Sequence, residues 1–134
     1  MNNIEEKLVE TARSVSRNAY APYSEFYVGA ALLSEDGKIY GGCNVECASY
    51  GGTICAERSA LLQAIADGRR SFMKIAIFTD TEHPTPPCGH CLQMLHEFAP
   101  DIEVLLVTPH GIDKRFSLKE LLPHPFGPED LGKR

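Results

Sequence analysis

The sequence predicts a three-layer α/β/α domain around a mixed β-sheet, and three observations carry that expectation. The 134 residues are 43% apolar and 23% charged, enough for one core-forming domain over residues 1–134 without disulfide staples. Two apolar runs joined by a turn read as a hairpin. Beyond them, strands alternate with single helices, an order that lays strands parallel through right-handed crossovers.

Asn2 or Asn3 opens the first helix, with Glu6 three residues after Asn3 as a capping-box partner. Ile4, Leu8, Ala12 and Val15 recur at helical spacing and mark a buried stripe to about Asn18. Ala21-Pro22-Tyr23-Ser24 breaks that helix. Phe26 to Leu33 is an apolar run of strand length, Glu35-Asp36-Gly37-Lys38 a turn, and Ile39 to Val45 a second strand. Gly29, Gly41 and Gly42 lie inside these strands, where close backbone approach or a bulge is the usual reason. From Ile54 the period changes: Ala56, Ala60, Leu61, Ala64 and Ile65 mark a core-facing helix that Gly68 ends at its C′ position. Lys74 to Phe78 is a short buried strand, followed by a proline-rich loop from Asp80 to Pro87. Leu92, Leu95 and Phe98 then fit a third helix, Ile102 to Val107 another buried strand, and Ser117 to Leu122 a short helix before a proline-rich tail.

Thirteen basic against eighteen acidic residues give a net charge of -5, which disfavours a nucleic-acid partner. No apolar run approaches the roughly 18 residues of a membrane span. The opening MNNIEEKLVE lacks a signal peptide's apolar stretch, so a cytoplasmic address is expected. Five cysteines are an odd number that a closed disulfide framework cannot use up; metal binding or catalysis is the better reading.

Cys88-Gly89-His90-Cys91 is a CxxC at the start of a helix. By itself it reads as half a structural zinc site, a redox pair or a catalytic metal site. Cys55-Ala56-Glu57-Arg58 opens the other central helix, and the βα alternation can bring the two helix starts together. Three thiolates would then meet where two helix N-termini favour negative charge. Three ligands leave an open catalytic position, whereas Cys43 or Cys47 as a fourth would close a structural site. Glu57, in the same first turn as Cys55, favours the catalytic reading, because beside an open position it becomes a general acid–base.

Cys-Ala-Glu followed by Pro-Cys-x-x-Cys is the three-cysteine form of the zinc-deaminase pattern. More closely, the chain resembles the small cytidine deaminases of pyrimidine salvage. The likeness runs through Pro22-Tyr23-Ser24 with Phe26, Val28 to Leu32, Gly42 to Glu46, Cys55 to Arg58, Pro87-Cys88-Gly89 with Cys91, Glu120 to Pro123 and Phe126 to Leu131. It implies a cytidine deaminase-like fold with a mixed five-stranded sheet. It also implies hydrolysis of cytidine and 2′-deoxycytidine to the uridines and ammonia, with one zinc per subunit on Cys55, Cys88 and Cys91.

In that resemblance Glu57 shuttles protons between water, ring N3 and the leaving amine. Arg58 hydrogen-bonds ligand thiolates and offsets the charge of -1 that three thiolates and Zn²⁺ sum to. Asn44 and Glu46 match ribose-binding residues, Phe26 packs on the pyrimidine, and backbone groups at Ala56 meet the base edge. Tyr50 and Phe126 match residues that reach a neighbour's site in a homotetramer. Cys47, His90 and Leu92 depart from the usual pattern, and Leu92 is expected to repack an interface. Relatives acting on other aminated pyrimidines are the nearest alternative; a zinc-stabilised binding module is the one from a different class.

Overall fold

The computed structural model describes residues 2–133. The first helix, α1 (Asn3–Ser16), is capped by Asn2, whose side chain accepts from the Glu5 amide. The box expected between Asn3 and Glu6 therefore gives way to a cap one residue earlier. Glu5 is buried with Leu8, Val9, Ala12 and Ser16, while Ile4 and Val15 are half-buried flanks of the stripe.

The strands β1 (Val28–Ser34) and β2 (Ile39–Cys43) form the expected antiparallel hairpin. Helix α2 (Ala56–Ala66) follows and ends where Gly68 takes a φ of 89°, a left-handed C′ position. After β3 (Phe72–Thr79) come α3 (Gly89–Phe98), β4 (Glu103–Thr108), β5 (Gly111–Ser117) and the single turn α4 (Leu118–Leu121). Ser117 and Glu120 close a capping box on α4.

The sheet order is β2-β1-β3-β4-β5, with β3 and β4 parallel and every other neighbouring pair antiparallel. The α2 connection therefore passes over β1 to reach β3. Alternating residues divide the core into two layers. Ala31, Leu33, Ala76, Phe78, Leu105 and Val107 face α1, whereas Ala30, Leu32, Ile75, Ile77, Val104 and Leu106 face α2, α3 and α4. Leu92 packs into this second layer, facing the sheet from α3.

Glu5 ties the layers at one edge. Arg115 Nη1 and Nη2 each lie 2.8 Å from its carboxylate, and Lys74 Nζ lies 2.5 Å away while also reaching Glu103 at 3.0 Å. These paired cations hold the carboxyl well below the usual carboxylate range. None of the helices is long and apolar enough to cross a membrane among the described residues.

Candidate metal centre and active site

Helices α2 and α3 start with a cysteine as N-cap, Cys55 and Cys88, and neither side chain caps its own helix. Cys91 stands three residues into α3. The three sulfurs thus sit where unpaired N–H groups and the helix dipoles favour anions. All three lie within 4.8 Å of one another, with Cys55–Cys88 at 3.8 Å and Cys88–Cys91 at 3.6 Å. Thiolates about 2.3 Å from a tetrahedral zinc are roughly 3.8 Å apart, so the donor set fits that ion. Neither Cys43 nor Cys47 joins the cluster among the described residues, which leaves three ligands and a catalytic geometry. Bonding within the cluster and Arg58 pull the Cys55 thiol down to about 5, and the same sharing pushes Cys91 up. Crowded sulfurs cannot all be thiolates without a compensating cation.

Arg58 projects back over the α2 start, with Nη2 3.5 Å from Cys55 Sγ and 3.4 Å from the Thr53 carbonyl. Glu57 is 6% exposed, and burial, reinforced by the Cys55 charge, raises its carboxyl to about 7. Ala56 is fully buried beside it.

A cavity of about 260 Å³ is lined by Tyr23, Ser24, Glu46, Tyr50 and Thr53, the last of which meets Arg58 through its carbonyl. Glu46 accepts from the Tyr23 and Ser24 amides at 3.0 and 3.1 Å and from the Ser24 hydroxyl. The Ser24 hydroxyl, then those amides, keep its carboxyl ionised below the ordinary range. Asn44 is buried and bridges the entering loop: Oδ1 accepts from the Val28 amide at 2.9 Å, and Nδ2 donates to the Phe26 carbonyl at 2.7 Å. One Nδ2 hydrogen remains for another acceptor. Just before Phe26, Glu25 takes a φ of 56°, in the left-handed region.

Phe26, Tyr50 and Phe126 are exposed, at 40%, 72% and 55%, and the Tyr50 ring meets Tyr23 edge-on at 5.5 Å. Of the expected contacts, Glu46 and Tyr50 line this cavity, whereas Phe26, Asn44, Ala56 and Phe126 do not, and Phe126 alone comes from the tail. Cys47 donates to the Ser49 carbonyl at 2.7 Å, and His90 is exposed on the first turn of α3. Tyr23, Ser24 and Thr53 are site residues to which sequence reasoning gave no role. The match at Pro22-Tyr23-Ser24 was the available signal for two of them.

The family described as "Cytidine and deoxycytidylate deaminase zinc-binding region" matches residues 2–107. The cytidine deaminase of Sporosarcina psychrophila is 46% identical over 127 residues, covering 94% of this chain and 93% of that protein. That of Halalkalibacterium halodurans is 46% identical over 125 residues, 92% of this chain and 95% of its own. The crystal structure of the Burkholderia pseudomallei cytidine deaminase superposes with a TM-score of 0.87 at 46% identity, covering 94% of this chain and 100% of that one.

Proposed function

The chain belongs to the zinc-dependent cytidine deaminase family, and on that premise we propose that it hydrolyses the 4-amino group of cytidine and 2′-deoxycytidine, yielding the uridines and ammonia. The observation that carries this reading is a buried carboxyl, Glu57, on the first turn of the helix that also supplies Cys55 to a three-sulfur zinc site. Zinc held there supplies Lewis-acid activation of a water nucleophile near neutral pH.

The protein's own groups do the rest. Glu57 accepts the proton that the water loses on attacking C4 and passes it to ring N3. It then takes the proton of the new C4 hydroxyl and delivers it to the amine, so that ammonia leaves as the C4 carbonyl forms. Backbone groups at Ala56 receive the base carbonyl and amine edge. The remaining Asn44 Nδ2 hydrogen donates to the ribose 3′-hydroxyl, and that hydroxyl donates to Glu46. Phe26 covers the pyrimidine. Arg58 withdraws charge from Cys55 and so keeps the zinc electrophilic.

The exposed aromatics Tyr50, on the cavity wall, and Phe126, on the tail, support a further part of the reading: the chain assembles as a homotetramer in which both complete a neighbour's site. Residues 1–134 then act as one catalytic domain, in the cytoplasm, on a free nucleoside rather than on nucleic acid or a membrane.

The test is to incubate zinc-replete protein with cytidine and follow uridine and ammonia in equal amounts. Glu57→Gln should remain folded and zinc-loaded and lose at least about a hundredfold in kcat. No uridine from intact, zinc-containing wild-type protein overturns the reading.

A further inference from the structure

Gln93 stands two residues beyond Cys91, on the part of α3 that faces the C-terminal tail. Its Nε2 donates to the Phe126 carbonyl at 2.6 Å, across 33 residues of sequence. On the other side of Phe126, the Gly127 amide donates to Asp130 Oδ2 at 2.8 Å, and the Asp130 amide returns a bond to the Gly127 carbonyl at 3.0 Å. Gly127 itself is buried, with the Glu129 carboxylate so close that a methyl group there would lie 2.3 Å from its oxygen.

The backbone at Phe126 is therefore held on both sides while its ring stays 55% exposed and outside both hydrophobic layers. An apolar ring on a fixed backbone has already lost the entropy that contact with a second surface would cost. Phe126 is not among the residues that line the cavity beside Glu46 in its own subunit.

We propose that Gln93 is a positioning residue that fixes the tail so that Phe126 is presented, ready-ordered, to the base site of a second copy of this chain. The inference rests on the shared-site reading above and adds the group that delivers the ring. Because Gln93 stands on the helix that carries Cys88 and Cys91, the start of one subunit's metal site and its neighbour's substrate contact share a rigid element. Gln93 touches neither substrate nor metal, so its loss weakens ground-state and transition-state binding equally. That is a KM effect with kcat preserved.

The experiment uses the zinc-loaded protein. Gln93→Leu should raise KM for cytidine about tenfold, with kcat within about twofold and zinc per subunit unchanged. Phe126→Ala should do the same, and the double variant should add nothing to either single change. Gln93→Leu subunits are then co-expressed with Glu57→Gln subunits under two affinity tags, and the mixed oligomers are purified through both. Every competent site in them belongs to a Gln93→Leu subunit. A component with the wild-type KM must therefore use Phe126 delivered by a Glu57→Gln neighbour, and that component is the expected result. An unchanged KM in Gln93→Leu overturns the role of Gln93. A raised KM that mixing leaves uniform shows that the tail serves its own subunit, which overturns delivery in trans. Absence of cytidine turnover in the wild type would instead strike at the proposed reaction.

Discussion

The backbone of Gly42 in β2 runs directly against that of Ala60 in α2: a methyl group on Gly42 would lie 2.4 Å from the Ala60 amide nitrogen and 2.7 Å from the Ala56 carbonyl oxygen. Both are main-chain atoms, so no rotamer change relieves the overlap. The strand thereby sets the height above the sheet of the helix that starts at Cys55 and carries Glu57.

Gly42→Ala should accordingly push the start of α2 outward by about an ångström. Overpacking of this kind costs about 2–3 kcal/mol, and a shift of that size at reacting groups costs about a hundredfold in rate. Gly29→Ala is the comparison, because its methyl group would lie 1.9 Å from the Ala12 carbonyl on the opposite face of the sheet. It should lower stability while its folded fraction keeps its kcat. Urea denaturation together with kinetics measures both. Equal losses of kcat in the two variants would show that β2 does not set the site.

Arg58 is the only cation bonded to a ligand sulfur among the described residues, with Nη2 3.5 Å from Cys55 Sγ. Arg58→Gln removes that charge but none of the three ligands. Partners behind metal ligands are typically worth about 10–100-fold in activity or affinity. Turnover should fall by about that factor while zinc per subunit stays constant, read by metal analysis beside initial rates. A variant with full zinc and wild-type kcat would remove Arg58 from the mechanism.

Elements governed by local pattern were legible in the sequence. The apolar runs of β1, β3 and β4, the small-residue face of α2 and the stop at Gly68 are each properties of a few neighbouring residues. The glycines at 29 and 42 were legible as close approaches or bulges, but neither which of the two nor what they approach could be read. By contrast β5, Gly-Ile-Asp-Lys-Arg-Phe-Ser, is an edge strand with mostly exposed side chains, so neither alternation nor an apolar run announces it. The resemblance supplied the fifth strand; the residue pattern did not. Likewise Cys55, Glu57, Cys88 and Cys91 form short motifs, whereas the Glu46 bonds to the Tyr23–Ser24 loop and the Gln93 bond to the tail join distant segments. Nothing local in those segments predicts them.

Glu5 shows what such distant pairing does to stability. Its carboxylate is 4% exposed and meets Arg115 and Lys74 from two different strands. Because its folded pKa is lowered from the ordinary 4.5, its contribution is complete above that value and is lost as the pH falls below it. Charge-assisted hydrogen bonds of this kind are worth about 2 kcal/mol. Glu5→Gln should lose about that much at pH 7, and the gap from wild type should narrow in denaturation curves taken progressively below pH 4.5. A gap that stays constant down to the acid transition would show that the ion pairs contribute nothing net.

The five cysteines divide into three and two, and the division is itself testable. Cys55, Cys88 and Cys91 converge, while Cys43 and Cys47 stand outside the cluster among the described residues. Burial raises the Cys43 thiol, so it stays protonated at neutral pH and is a poor metal ligand. Cys47 turns its sulfur to the Ser49 carbonyl and packs against Gly52, where a methyl group would lie 3.0 Å away. Cys43→Ala and Cys47→Ala should therefore each keep one zinc per subunit, and Cys55→Ala, Cys88→Ala and Cys91→Ala should each lose it. Metal analysis after gel filtration decides the matter. Zinc loss from a folded Cys47→Ala protein would point to a fourth protein ligand, close the position open to water, and make the site structural rather than catalytic.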